Sequence, residues 1–234
     1  MNLSDLDSYA DGKILAGCIG HIGYVVINNP ERHNAVSLAM YEAAAEAVEA
    51  MAPDDNVRLL IIRGAGGKAF ASGADIAKFE EERSSEAQVA TYTAASTRFY
   101  NAVFTFPKPT IAQITGYCIG GGMGLAVCCD VRLCEDKSRF AVPAARLGLG
   151  YGFEGVSRLS ALVGPSMVKE IFFTARQFTS QEAYDMGLVN RVLPGHMLEA
   201  YVVDYAKRIA ENAPMTMASV KAITADIQKA ETER

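Results

Sequence analysis

Residues 116–130 read GYCIGGGMGLAVCCD: three adjacent glycines, then an apolar run, with no charged side chain until Asp130. Thr110–Ile114 upstream reads as a strand and the residues from the glycines to Cys129 as a helix. Phe70–Asp75 (FASGAD) is a second passage of this kind, from a strand end through Gly73 into a helix, with Asp75 where the helix dipole favours an acid. A helix start carries free backbone N–H groups, and glycine lets a ligand approach the backbone without a Cβ in the way. Taken singly, each passage reads better as a plain turn. Facing one another, they would aim two N–H donors at one oxygen, which is an oxyanion hole. The triplet is not a phosphate loop of the Gly-Lys-Ser/Thr kind, because Met123 and Gly124 follow it.

Outward from these two junctions, strands alternate with helices. Lys13–Pro30 (KILAGCIGHIGYVVINNP) reads as two strands, the second over Ile22–Ile27 and ended by Asn28-Asn29-Pro30. Ser37 is the expected N-cap of a helix through Met51. Val57–Arg63 is a buried strand, Ala87–Phe106 a long helix stopped by Pro107 and Pro109, and Val131–Cys134 and Phe140–Val142 are short strands. Beyond Pro143 the chain reads as helical, over Gly155–Leu162, Ser166–Thr174, Ser180–Met186, Leu198–Asn212 and Met215–Ala230, with a short strand after Gly187-Leu188-Val189. The class is α/β, with strands in the first two thirds and a helical C-terminal part.

The bulk properties exclude several functions. The chain has 234 residues, half of them hydrophobic, and a net charge of −5 without a basic tract, which argues against nucleic-acid binding. The five cysteines (18, 118, 128, 129 and 134) have no zinc-ligand spacing, and His21, His33 and His196 are scattered, so no metal site is expected. Free thiols in apolar runs, a polar opening segment unlike a signal peptide and the lack of a membrane-length apolar run lead to the expectation of a soluble, cytoplasmic protein.

Four segments, in this order and spacing, resemble the enoyl-CoA hydratase/isomerase, or crotonase, superfamily: NPERHNA (29–35), IIRGAGGKAFASGADI (61–76), PKPTIAQITGYCIGGGMGLAVCCD (107–130) and EAYDMGLVNRV (182–192). The resemblance runs from about Ile14 to Lys221. It implies a crotonase (ClpP-like) spiral of strand-strand-helix units over 1–195, with a helical region over 196–234 that serves oligomerisation as a trimer or dimer of trimers. It further implies an acyl-CoA thioester as substrate, with coenzyme A as part of that substrate and no separate cofactor. The Ala74 and Gly121 N–H groups would hold the thioester oxygen; Ala35, Ser72, Ala74 and Ile76 would line the coenzyme A channel, Lys68 would meet its phosphates, and Gly120, Gly121, Pro143 and Ala144 would complete the residues that bind the coenzyme A thioester.

Hydratases of this family use two glutamates, and the resemblance places them at positions 124 and 144, which here are glycine and alanine. Their loss speaks against ordinary water addition. The loop RLGLGYGFEG (146–155) resembles that of methylmalonyl-CoA decarboxylase, with Tyr151 at the matching tyrosine, although that enzyme carries a histidine where this chain has Ala74. Tyr151 reads either as a packing residue with its hydroxyl satisfied at a pocket edge or as a group that binds a carboxylate or donates a proton. Glu154 reads as a base, one helical turn from Tyr151, or as a solvated acid at a helix start. Decarboxylation of a carboxyacyl-CoA suits these residues best; isomerisation, hydration or thioester hydrolysis through Glu154 or Tyr151 comes next. A coenzyme A-binding protein without chemistry is the alternative of another class.

Overall fold

The computed structural model describes residues 3–75, 78 and 84–227. Its strands are β1 (Asp7–Tyr9), β2 (Ile14–Ile19), β3 (Ile22–Ile27), β4 (Leu59–Gly64), β5 (Ala69–Ala71), β6 (Thr110–Ile114), β7 (Tyr117–Ile119), β8 (Val131–Glu135), β9 (Arg139–Ala141), β10 (Phe178–Thr179) and β11 (Arg191–Leu193). Its helices are α1 (Leu38–Met51), α2 (Glu86–Phe104), α3 (Gly121–Ala126), α4 (Ala144–Leu147), α5 (Phe153–Thr174), α6 (Ser180–Asp185), α7 (Gly195–Ala210) and α8 (Pro214–Ile227). Seven strands form one sheet in the order β1-β2-β3-β4-β6-β8-β11, and four form a second in the order β10-β9-β7-β5.

The pairings reveal the repeat. From β3 to β11 the large sheet is parallel, and so are β5, β7 and β9 in the small one. Each of β4, β6 and β8 is followed at once by a partner in the small sheet, then by helix; this is the strand-strand-helix spiral. Both faces of the large sheet are covered. Val25, Ile27, Leu60 and Ile62 face α1, α2 and the small sheet, whereas Tyr24, Val26, Leu59 and Ile61 pack with Leu198, Val202 and Ala206 of α7. That double burial explains why IGYVVI and LLII are continuous apolar runs without alternation.

Three short strands, β1, β7 and β10, escape a pattern reading because two or three residues carry no period. The omission of β7 matters. The glycine triplet follows β7 of the small sheet, not β6 as the sequence reading has it. Ser37 sits at the N-cap of α1, but its side chain makes no capping bond. The two helices read over 155–162 and 166–174 are both present within α5, separated by the non-helical Gly164 (φ 77°, ψ 161°) ahead of Pro165. Four of the five cysteines are buried and all five are free, while Cys18 is exposed. Among the described residues, no helix is long and apolar enough to cross a membrane.

Candidate active site

Because β5, β7 and β9 are parallel neighbours, their carboxyl ends lie side by side. The chain leaves those ends as Ser72-Gly73-Ala74, as Gly120-Gly121 and as Val142-Pro143-Ala144. Such ends are where α/β sheets place their ligands. Gly120 N–H donates to the Ala141 carbonyl at 2.8 Å, tying the second exit to the third. The first is tied to the turn carrying Ala35 through a bridge between Val36 and Ala74: Val36 N–H donates to Gly73 O (2.8 Å), and Asp75 N–H to Val36 O (3.2 Å). The Tyr92 hydroxyl adds a bond to Val36 O at 2.9 Å.

The two glycine junctions do meet. Gly73 has φ +93°, and a Cβ built on it would lie 2.9 Å from Gly121 N. Neither the Ala74 nor the Gly121 N–H enters a backbone hydrogen bond among the described residues. Two amides without a backbone partner among the described residues thus stand at adjoining junctions.

The three glycines of the triplet answer to three requirements. Gly120 takes φ 55°, ψ −116°, a conformation that residues with a Cβ avoid. A Cβ on Gly121 would lie 2.9 Å from the Tyr100 hydroxyl and 3.2 Å from Gly73 Cα. A Cβ on Gly122 would sit only 2.1 Å from Ala71 O, where α3 crosses β5. Gly124 differs: its Cβ would meet the Tyr100 ring at 3.7 Å, an ordinary contact. Opposite signs follow for two substitutions within one helix. Gly124→Ala is expected to be neutral or to stabilise by about 0.5–1 kcal/mol through reduced chain entropy. Gly122→Ala is expected to cost about 1–3 kcal/mol by overpacking. Denaturant midpoints compare the two directly.

The space in front of Gly124 belongs to a tyrosine cluster that sequence reasoning missed. Tyr100 donates to Gly121 O at 3.0 Å, and its hydroxyl lies 3.0 Å from that of Tyr41. Tyr41 is edge-on to both Tyr92 and Tyr100. Burial pushes the Tyr41 and Tyr100 phenols well up, so both are neutral at physiological pH. The available signal was the inward stripe Tyr92, Ala95, Phe99 and Val103 of α2, with Tyr100 beside it.

Ala35 and Ala144 are buried at 6% and 5% exposure, and Gly120 faces Ser72 and Pro143. Ser72 donates to Arg32 O at 3.3 Å. Lys68 is exposed and lies at the other end of β5 from Gly73, where its carbonyl accepts the Tyr117 N–H (3.1 Å). Ile76 and Glu80–Glu82 lie outside the described residues. Asp75 is buried, with its carboxylate 3.4 Å from the Arg32 guanidinium.

Tyr151 and Glu154 do not share a helical face. Gly152 is the extended N-cap of α5 (φ −72°, ψ 154°), so Tyr151 precedes the helix while Glu154 lies in its first turn, exposed. The Tyr151 ring packs edge-on against Phe172 at 4.9 Å and over Gly155, and its hydroxyl donates to Gly120 O at 3.1 Å. Its phenol proton is therefore already engaged by the protein.

A family model described as enoyl-CoA hydratase/isomerase matches residues 19–234. The chain is 35% identical to a crotonyl-CoA hydratase of Syntrophomonas wolfei over 201 residues, covering 86% of this chain and 76% of that one. It is 34% identical to a carnitinyl-CoA dehydratase of Salmonella arizonae over 205 residues, covering 88% of this chain and 77% of that one. A crystal structure of an enoyl-CoA hydratase/carnithine racemase from Magnetospirillum magneticum superposes with a TM-score of 0.89 at 36% identity, over 94% of this chain and 84% of that one. With the strand-strand-helix spiral and the paired glycine junctions already in place, these likenesses make the chain a member of the enoyl-CoA hydratase/isomerase, or crotonase, superfamily.

Proposed function

We propose that this chain transforms an acyl-CoA thioester by holding its carbonyl oxygen between the Ala74 and Gly121 N–H groups, and that its reaction is decarboxylation of a carboxyacyl-CoA. The observation that carries this reading is the pairing of two amides that have no backbone partner among the described residues with glycine and alanine at positions 124 and 144. An oxyanion hole stabilises an enolate however it is formed. Addition of water also needs a group that activates the water, which a carboxylate at these positions would supply. Loss of CO2 needs none: the C–CO2 bond breaks, its electron pair enters the enolate, and a proton taken from water completes the acyl-CoA. The phenols of Tyr41, Tyr100 and Tyr151 add neutral polar groups around the site but no strong base.

Hydration or dehydration is the second reading, favoured by the names of the relatives. Isomerisation through Glu154 loses the support of a shared face with Tyr151. Assembly into a trimer or a dimer of trimers belongs to the proposal, supported by exposed Phe173, Met215, Val220 and Ile223 on α5 and α8.

The test is mass-spectrometric turnover of a panel holding crotonyl-CoA, a 3-enoyl-CoA, methylmalonyl-CoA and an aromatic acyl-CoA. Loss of CO2 from the carboxylated member is expected. Gain of one water on crotonyl-CoA, with methylmalonyl-CoA untouched, overturns decarboxylation in favour of the second reading. Binding of the thioesters with no turnover at all makes the chain a coenzyme A-binding protein.

A further inference from the structure

We propose that Tyr151 is a positioning residue of the oxyanion hole: its hydroxyl acts through the Gly120–Gly121 peptide to aim the Gly121 N–H and to strengthen it as a donor. The proposal rests on the oxyanion reading above, but it assigns Tyr151 a part other than contact with the substrate.

The Gly120 carbonyl and the Gly121 N–H are the two ends of one peptide group. At the carbonyl end two donors converge, the Gly124 N–H at 3.0 Å and the Tyr151 hydroxyl at 3.1 Å. The N–H end has no backbone partner among the described residues. Donors at a carbonyl polarise the amide and make its N–H a stronger donor, as in any chain of hydrogen bonds. The other junction follows the same plan. The Gly73 carbonyl accepts the Val36 N–H at 2.8 Å, and the Ala74 N–H on the same peptide has no backbone partner among the described residues. Among the described residues, only at Gly120 does a side chain supply one of the donors, and there the effect can be removed without altering the backbone.

The Tyr151 bond also restrains direction. A glycine on each side leaves this peptide free to rotate, and Gly120 already holds φ 55°. A flip would turn the N–H out of the site, and it would have to break both carbonyl bonds. The tyrosine is well held for the task, its ring against Phe172 and Gly155. The residue is 38% exposed, yet its hydroxyl end is turned inward, and burial pushes the phenol up to about 12, so it stays a donor at neutral pH.

The test compares wild type, Tyr151→Phe and a chain with 3-fluorotyrosine at 151, using two probes. The first is butyryl-CoA labelled with 13C at the thioester carbonyl, read by infrared difference spectroscopy. The second is acetoacetyl-CoA, whose bound enolate is read by its ultraviolet absorbance. Wild type is expected to lower the carbonyl stretch. Tyr151→Phe should lose part of that shift and bind the enolate about three- to tenfold more weakly, with a smaller loss of butyryl-CoA affinity. The fluorinated phenol, a stronger donor, should deepen the shift. A wild-type protein that leaves the carbonyl stretch where it is in water removes the oxyanion reading itself. A normal wild-type shift that Tyr151→Phe retains in full overturns only the role of Tyr151. If that variant also loses turnover, the tyrosine acts directly on the substrate.

Discussion

Gly73→Ala is expected to lower turnover about 10²- to 10³-fold, the usual effect of removing one oxyanion donor, while the protein stays folded. A methyl group at 73 would stand 2.9 Å from Gly121 N and 3.4 Å from Ile119 O. Backbone atoms of α3 and β7 cannot swing aside as a long side chain would. Relief requires the two junctions to part, which would disturb the proposed oxyanion hole between them. The φ of +93° adds conformational strain for any residue with a Cβ. Steady-state kinetics with whichever thioester the panel shows to be turned over will measure the loss, which should fall on kcat more than on KM, because a donor aimed at developing charge contributes mainly in the transition state. Turnover within threefold of wild type would remove Gly73 and Gly121 from the site.

Asn34→Ala is expected to be the most damaging stability change in the NPERHNA turn, by about 3–5 kcal/mol. Asn34 is fully buried and holds φ +56°, a left-handed conformation that asparagine adopts more readily than alanine. Its side-chain oxygen accepts the Asn29 N–H at 2.9 Å, and its nitrogen donates to Ala65 O at 2.9 Å and Ala69 O at 2.6 Å. One side chain thus ties the turn before α1 to both ends of the loop between β4 and β5. Alanine removes all three bonds in a place water does not reach. For a chain of this length the melting temperature should fall by about 10 °C or more. Asn34→Asp should fare no better, since it keeps the acceptor but turns a carboxylate toward two carbonyls. A loss under about 1 kcal/mol for Asn34→Ala would mean that these bonds are readily replaced.

The long strands and helices were legible because their periods were long enough to count: Ile22–Ile27, Leu38–Met51, Glu86–Phe104 and Thr110–Ile114 all lie within a few residues of their reading. The closeness of the two glycine junctions was foreshadowed too, by their shared pattern and by the family they resemble. The tyrosines were not. Tyr41, Tyr92 and Tyr100 read as ordinary helix residues, because nothing local tells a core tyrosine from one whose hydroxyl reaches a backbone carbonyl at the site. Tyr151 was singled out, but with Glu154 as its companion, and the extended Gly152 separates them.

From sequence alone came the class of fold, the family likeness and the two places where a backbone could offer free amides, since these depend on local pattern and on glycine. Three matters were left to the tertiary structure: that β7 places the triplet beside Gly73, that Tyr100 faces Gly124, and that the Tyr151 hydroxyl ends on Gly120 O. The physical reason is the same in each case. Local sequence governs the torsions of a short segment, whereas a hydrogen bond between residues 31 positions apart depends on how separate elements pack.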